Sequence, residues 1–284
     1  HASDIPNLVK AETRAELEQL LRQDTRKIII TTIFKFAEAD GVLNERDNTG
    51  PRAFGRLFTE LTSSLSFPFQ RDGKDERLTL SEILALSHEP DRSLRQRAHQ
   101  RLFQVLEQQS LVLTFVYDTL VQDHLTIDRL RRFPHPMAAR HVANEIDAEA
   151  VERMLFVTEQ NYGQAQRYFR VKARLLGLPR LALYDQYAPI GAEAPRCTFE
   201  RARDVVLEAF EACSPVLSAA VRQFFDRRWI DAEVRPGKQS GAFCASPSPS
   251  LHPYVLCNHT GNLRDVMTLA HELGHGVHGW LSRK

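Results

Sequence analysis

Along most of this chain the apolar residues recur with the 3.6-residue period of helices. From Asp91 onward, Leu94, Ala98, Leu102, Val105 and Leu106 fall on one stripe, with Arg, Gln and Glu elsewhere. That pattern predicts an amphipathic helix opening at Asp91 and continuing to about residue 121. Just upstream, Thr79-Leu80-Ser81-Glu82 has the spacing of a capping box, so a short helix opens there and breaks at Glu89-Pro90. The same periodicity predicts helices at 148–161, 164–176, 199–211 and 215–229. Gly177 and Pro179 form a C-terminal stop for the second of these. The acid-rich stretch 38–47 reads as a solvated loop.

From about Arg235 the texture changes to a segment rich in Gly, Pro and Ser. Two short runs inside it, 241–245 and 253–258, read as strands joined by the Pro-Ser-Pro-Ser loop 247–250. At Leu263 the helical period returns and persists to the last residue. Leu263, Ala270 and Val277 share a stripe with Val266, Leu273 and Trp280 beside it, which predicts a buried face.

Composition narrows the classes. Of 284 residues 43% are hydrophobic, so a sizeable core is available and a disordered chain is excluded. Lys plus Arg number 37 and Asp plus Glu 36, a net charge of +1. No broad positive field exists for nucleic acid or an anionic membrane. The best apolar runs, 28–33 and 111–117, fall short of the roughly 18 residues a membrane helix needs. The first residues lack the basic start and apolar stretch of a signal peptide, so the expected location is cytoplasmic. Four scattered cysteines (Cys197, Cys213, Cys244, Cys257) make neither a disulfide scaffold nor a four-thiolate zinc site.

The chemistry sits in the last predicted helix, as His271-Glu272-Leu273-Gly274-His275, an H-E-x-x-H motif. Four helical residues advance about 6 Å and return close to the same face, so both imidazoles can converge on one ion. Glu272 lies about 100° around the helix, where it can reach a water at that ion and act as general base. Two imidazoles and an oxygen ligand accept several ions, and a zinc ion there would lower the pKa of its water toward 7. Chance supplies on the order of 0.03 such motifs per chain of this composition. Gly274-His275-Gly276-Val277-His278-Gly279 fits G-x-G-x-x-G by spacing. It lies inside a running helix with no leading strand, so dinucleotide binding is rejected. His278 is about 10 Å from His271 along the axis, too far to share its ion. It is left as a hydrogen-bonding neighbour of the ligands or as packing. Cys244 and Cys257 lie in apolar runs that favour inert thiols. Gly237-Lys238-Gln239-Ser240-Gly241 is not a G-x-S-x-G nucleophile elbow. A strand edge before the metal helix can bind an extended peptide by backbone hydrogen bonds. Tyr254 in the 253–258 run is the first candidate for substrate contact, and Gly241, Ala242 and Phe243 are the second.

At these residues the chain resembles a known family. Asp265-VMTLAHELGHGVH is similar to the zinc-helix signature of oligoendopeptidase F, in the thimet-oligopeptidase group of metallopeptidases. Thr62-SSLSFPF, Leu78-TLSEILAL, Leu125-TIDRLR, Tyr168-FRVKARLLGL, Tyr187-AP, Arg228-WIDAEVRPGKQSGAFC and Pro253-YVLCN resemble segments of that family in the same order. The resemblance implies a mainly α fold, a helical, bowl-like zincin with a small β-hairpin or sheet before the metal helix. It implies residues 1–195 as a helical region and 196–284 as the start of the catalytic region. It further implies one zinc ion (Zn2+), His271 and His275 as ligands, Glu272 as the catalytic carboxylate, and oligopeptide substrates. The family's third ligand is a glutamate from a following helix, expected beyond Lys284. The expectation is therefore a partial chain that alone binds zinc weakly and hydrolyses nothing. Two rivals share the motif: a non-catalytic helical scaffold that keeps a relic metal helix, and a zinc hydrolase acting on something other than peptides.

Overall fold

The computed structural model describes residues 8–10, 28–30, 48–191 and 196–282. The acid-rich stretch 38–47, most of the first forty residues and the last two residues lie outside them. Strands β1 (Leu8–Lys10) and β2 (Ile28–Ile30) pair in parallel. Helix α1 (Pro51–Ser64) follows, then the antiparallel hairpin β3 (Phe67–Arg71) and β4 (Lys74–Leu78). Its turn is Asp72-Gly73, both at positive φ, 53° and 74°. That is the two-residue turn whose twist suits a hairpin. The hairpin was not expected from periodicity, although Phe67 and Phe69 alternate inward on β3.

Helix α2 (Leu80–Ala85) opens on the predicted capping box. The Thr79 N–H donates to Glu82 Oε2 at 2.7 Å, and the Glu82 N–H to Thr79 Oγ1 at 3.3 Å. A 3-10 turn (Leu86–His88) leads on to α3 (Arg92–Gln108), capped by Asp91, whose carboxylate accepts the Ser93 N–H. Here the structure corrects the sequence reading. The expected single helix from 91 to 121 is two, α3 and α4 (Ser110–Arg131), which part at Gln109. The polar run Glu107-Gln108-Gln109-Ser110 interrupts the apolar stripe, so no packed face holds one straight helix through it. The rest of the upper layer is α5 (Ala138–Asn144), α6 (Ala148–Gln160), α7 (Tyr162–Leu175) and a 3-10 turn at Leu183–Asp185. Gly177 ends α7 at φ 65°, and the Leu178 N–H reaches back to the Ala173 carbonyl.

Helices α8 (Phe199–Cys213) and α9 (Pro215–Asp226) precede a three-stranded sheet. Its strands are β5 (Ile230–Asp231), β6 (Phe243–Ala245) and β7 (Tyr254–Leu256), in the order β5-β7-β6. β7 is central, parallel to β5 and antiparallel to β6. Helix α10 (Leu263–Leu281) then lies against α8, α9, β6 and β7. The expected fold class holds: the chain is mainly helical, with a small sheet directly before the metal-motif helix. Two buried apolar clusters organise it. One gathers Phe67, Phe69, Leu78, Ile83, Leu86, Ala98 and Val105. The other gathers residues of α8, α9, the sheet and α10 around Phe224, Leu269 and Leu273. No described helix is long and apolar enough to cross a membrane.

Candidate metal centre

Helix α10 is anchored before it presents its chemistry. Asp265 accepts the Thr260 N–H at 2.6 Å, the Thr260 hydroxyl at 2.8 Å and the Asn262 N–H at 3.1 Å. These bonds satisfy donors at the helix start and fix its entry angle. The buried stripe is Val266, Leu269, Leu273, Gly276 and Val277. Leu263, expected on it, is exposed instead, one turn before the helix meets the core. Phe224 of α9 stands against Gly276 so closely that a Cβ there would lie 2.7 Å from its Cε1. Gly279 is crowded in the same way by Ser246, whereas Gly274 has open space around its Cα. Close packing thus explains two of the motif's glycines and leaves the third without a steric reason.

The opposite face carries His271 and His275, both exposed, with ring planes at 86° and centroids 4.7 Å apart. Their Nε2 atoms stand 3.1 Å apart. Two nitrogens bound to one tetrahedral zinc at about 2.0–2.1 Å each are separated by about 3.3 Å, so the pair fits such an ion. Among the described residues no set of three His, Cys, Asp or Glu side chains is arranged to hold a metal. Glu272, between the two histidines in sequence, is 8% exposed. Among the described residues its carboxylate has no hydrogen-bond partner.

Two cavities meet at Glu272. One of about 950 Å3 is lined by Gly241, Ala242, His271 and Glu272, with Leu84, Ala85 and His88 on the facing wall. The other, of about 520 Å3, is lined by Ala242, Phe243, Cys244, Glu272, His275 and His278. The structure therefore brings Gly241, Ala242 and Phe243 to the histidine pair. It does not bring Tyr254 there. β7 has a strand on each side, so it has no free edge to offer a peptide. Tyr254 instead leans on His252, which stacks on Trp229 at 4.2 Å. Both outer strands, β5 and β6, have an open edge, and β6 is the one that borders the histidines; the pairing of β5 with β7 is one the sequence did not reveal. His278 lines the second cavity together with His275 and makes no side-chain hydrogen bond among the described residues.

Sequence reasoning also missed what holds the β6 approach in place. The Lys238 ammonium, almost fully buried, donates to the carbonyls of Asp231, Glu233 and Cys257 and to Asp231 Oδ1, at 2.7–3.0 Å. The Asn258 amide donates to the carbonyls of Gln239 and Gly241, both at 2.9 Å. Together they staple the loop before β6 to the end of β7. A lysine in a Gly/Pro-rich loop reads as solvated, so its sequence carried no signal. Bonds from Arg235, together with those from Lys238 and against the opposing effect of burial, hold the Asp231 carboxyl down to about 2. Burial pushes the Cys244 thiol up, and Cys257 to about 11, so neither is an activated nucleophile.

The chain matches the sequence profile of Peptidase family M3 over residues 85–284. It is 25% identical over 253 residues to oligopeptidase PepF of Bacillus subtilis, an alignment covering 87% of this chain and 36% of that protein. It is 28% identical over 235 residues to group B oligopeptidase PepB of Streptococcus agalactiae, covering 82% and 39%. The chain thus spans well under half the length of these curated relatives. Among solved structures, PZ peptidase A in complex with an inhibitor superposes with a TM-score of 0.73 at 22% identity, covering 82% of this chain and 42% of that one. A Bacillus anthracis structure provisionally named oligoendopeptidase F gives 0.71 at 21% identity, covering 82% and 43%. At these identities the superpositions speak for the fold.

Proposed function

The chain belongs to peptidase family M3, and from that membership we propose that it carries the metal helix of a zinc metalloendopeptidase acting on oligopeptides. His271 and His275 hold the ion, Glu272 is the proton carrier, and a third, acidic ligand comes from outside the described residues. In the same reading residues 1–195 form a helical region and 196–284 the start of the catalytic region. The observation that carries it is the 3.1 Å approach of the two Nε2 atoms beside Glu272, which lines both cavities and has no side-chain hydrogen-bond partner among the described residues. A carboxylate that lines a cavity beside two imidazoles and is not engaged in structural hydrogen bonds is placed to take a proton there.

When bound, zinc supplies Lewis acidity, polarising the scissile carbonyl and making water a better acid. The rest falls to the chain's own groups. Glu272 takes the proton of the attacking water and delivers it to the leaving amine. Phe243 at the start of β6, with Gly241 and Ala242 leading into it, offers the outer edge of that strand to an extended peptide, whose backbone N–H and C=O groups pair with it. The Lys238 and Asn258 staples keep that edge at a fixed distance from α10.

The test is Glu272→Gln in the full natural chain. Oligopeptide turnover is expected to fall by about 10²–10⁴-fold with zinc content unchanged. Turnover equal to that of the parent would remove Glu272 from its role. A parent chain that binds zinc and cleaves no oligopeptide would favour the scaffold reading.

A further inference from the structure

The larger cavity runs well past the histidine pair. Its far end is formed by Thr260, Asn262 and Arg264 on one side and His88 on the other. Arg264 and His271 are seven residues apart on α10. At 1.5 Å and 100° per residue they share a face and stand about 10 Å apart along the axis. An extended peptide rises about 3.3 Å per residue, so the guanidinium stands about three residues from a bond held at the pair.

The arginine is held in position by an aromatic ring. Its guanidinium carbon lies 5.2 Å from the centroid of the Tyr187 ring, and the His88 ring lies 5.1 Å from the same ring. Tyr187, which shares a smaller cavity of about 210 Å3 with His88 and Arg264, therefore braces both groups from behind the end of the larger one. Among the described residues no carboxylate pairs with Arg264. Its neighbour Asp265 is engaged by the helix cap, and Glu89, next to His88, pairs with Arg196. Burial and the Arg264 charge hold His88 below the ordinary histidine range, which leaves a neutral ring able to donate one N–H.

The direction of a bound peptide follows from β6. Gly241 and Ala242 line the cavity of His271, and Phe243, Cys244 and Ser246 line that of His275, His278 and Gly279. β6 therefore runs alongside α10 in the same sense. A peptide added to its free edge in the antiparallel sense, the more stable pairing, runs the opposite way. Its C-terminal half then leads past Gly241 toward Arg264.

We propose that Arg264, braced by Tyr187 and assisted by His88, is a carboxylate subsite that fixes the C-terminal side of an oligopeptide about three residues beyond the cleaved bond. This rests on the peptidase reading. Two sources share the chemistry, the terminal carboxylate of a short peptide and an acidic side chain of a longer one.

Three peptides of one sequence test it in the full natural chain. The first ends in a free carboxylate three residues after the cleaved bond, the second in an amide there, and the third is an amide with Glu at that position. Amidation is expected to raise KM by about 10- to 100-fold with kcat little changed, the loss of one hydrogen bond to a charged group. Arg264→Gln should make acid and amide equal, and Arg264→Lys should restore part of the difference. Recovery with the Glu peptide assigns the acidic side chain; no recovery assigns the terminus. Equal KM for all three in the parent, or equal weakening of all three by Arg264→Gln, overturns the subsite and leaves the peptidase reading standing. Fluorescence anisotropy of the same labelled peptides on Glu272→Gln chain reads binding without turnover. A parent that cleaves none of them while this variant prefers the acid through Arg264 would overturn the peptidase reading and keep the subsite.

Discussion

Two acids on the two regions that face each other across the cleft, Asp185 and Glu272, are treated in opposite ways. In the upper helical layer Asp185 is fully buried and fully paired. Arg92 and Arg95 both donate to it, at 2.9–3.1 Å for the closest bonds, as does the Ala182 N–H. Although burial opposes ionisation, these donors hold its carboxyl below the usual carboxylate range. Arg95 spends its remaining donors on the carbonyls of Tyr184, Glu89 and Pro90. Segments some ninety residues apart are thereby tied together, and the wall bearing His88 is set. In the lower region α8, α9, the sheet and α10 close around an apolar core, and Glu272, at the meeting of the two cavities, has no side-chain hydrogen-bond partner among the described residues. A buried carboxylate with every oxygen satisfied is a structural tie; one left unsatisfied at the meeting of two cavities is available to a reaction.

The largest effect that tests this contrast is on stability. Asp185→Ala leaves the buried Arg95 guanidinium without its carboxylate, beside a second cation, Arg92, and is expected to cost about 3–5 kcal/mol in denaturant unfolding. Glu272→Gln should change stability by less than about 1 kcal/mol while removing activity. If the two substitutions destabilised alike, the division between a tie and a reactive group would fail.

A smaller effect separates the glycines of α10. Gly276→Ala drives a methyl into Phe224 and is expected to cost about 1–3 kcal/mol. Gly274→Ala meets nothing within 4 Å and should stabilise the helix by up to about 1 kcal/mol. Thermal unfolding of the two variants checks the sign of each.

These particulars show what the sequence carried. The capping box at Thr79, the Gly177 stop and the H-E-x-x-H spacing are local, so each was legible from a few neighbouring residues. The Asp72-Gly73 turn was equally local and was passed over, because the alternation beside it is only Phe67 and Phe69. The break at Gln109 is marked by the polar run 107–110, but four polar residues without Gly or Pro do not stand out as a helix stop. Non-local pairings were not legible at all. The position of β7 between β5 and β6, which moved the peptide edge from Tyr254 to Gly241–Ala242–Phe243, depends on a two-residue strand. Likewise Lys238, Arg264 and Tyr187 acquire their roles from segments far away in the chain.

The smallest expected effect is on the staple beside β6. Asp231 is held at about 2, below the 3.8 of an unstructured aspartate. Its ionised form therefore favours the folded chain above about pH 4, and that contribution is lost as the pH falls through about 2. The carboxylate is partly exposed, and screening limits the gain to about 1 kcal/mol or less. Asp231→Asn should remove this part of the acid dependence, read as a flatter stability curve between pH 4 and 2. An unchanged curve would mean that Lys238 and Asn258 hold the loop without it.

The most direct measurement is X-ray absorption at the zinc edge on the full natural chain, with and without His271→Ala and His275→Ala. The account predicts two imidazole nitrogens at about 2.0–2.1 Å in the parent and the loss of one from each variant, with weaker zinc retention. A spectrum and zinc content that stay the same when both histidines are replaced would contradict it.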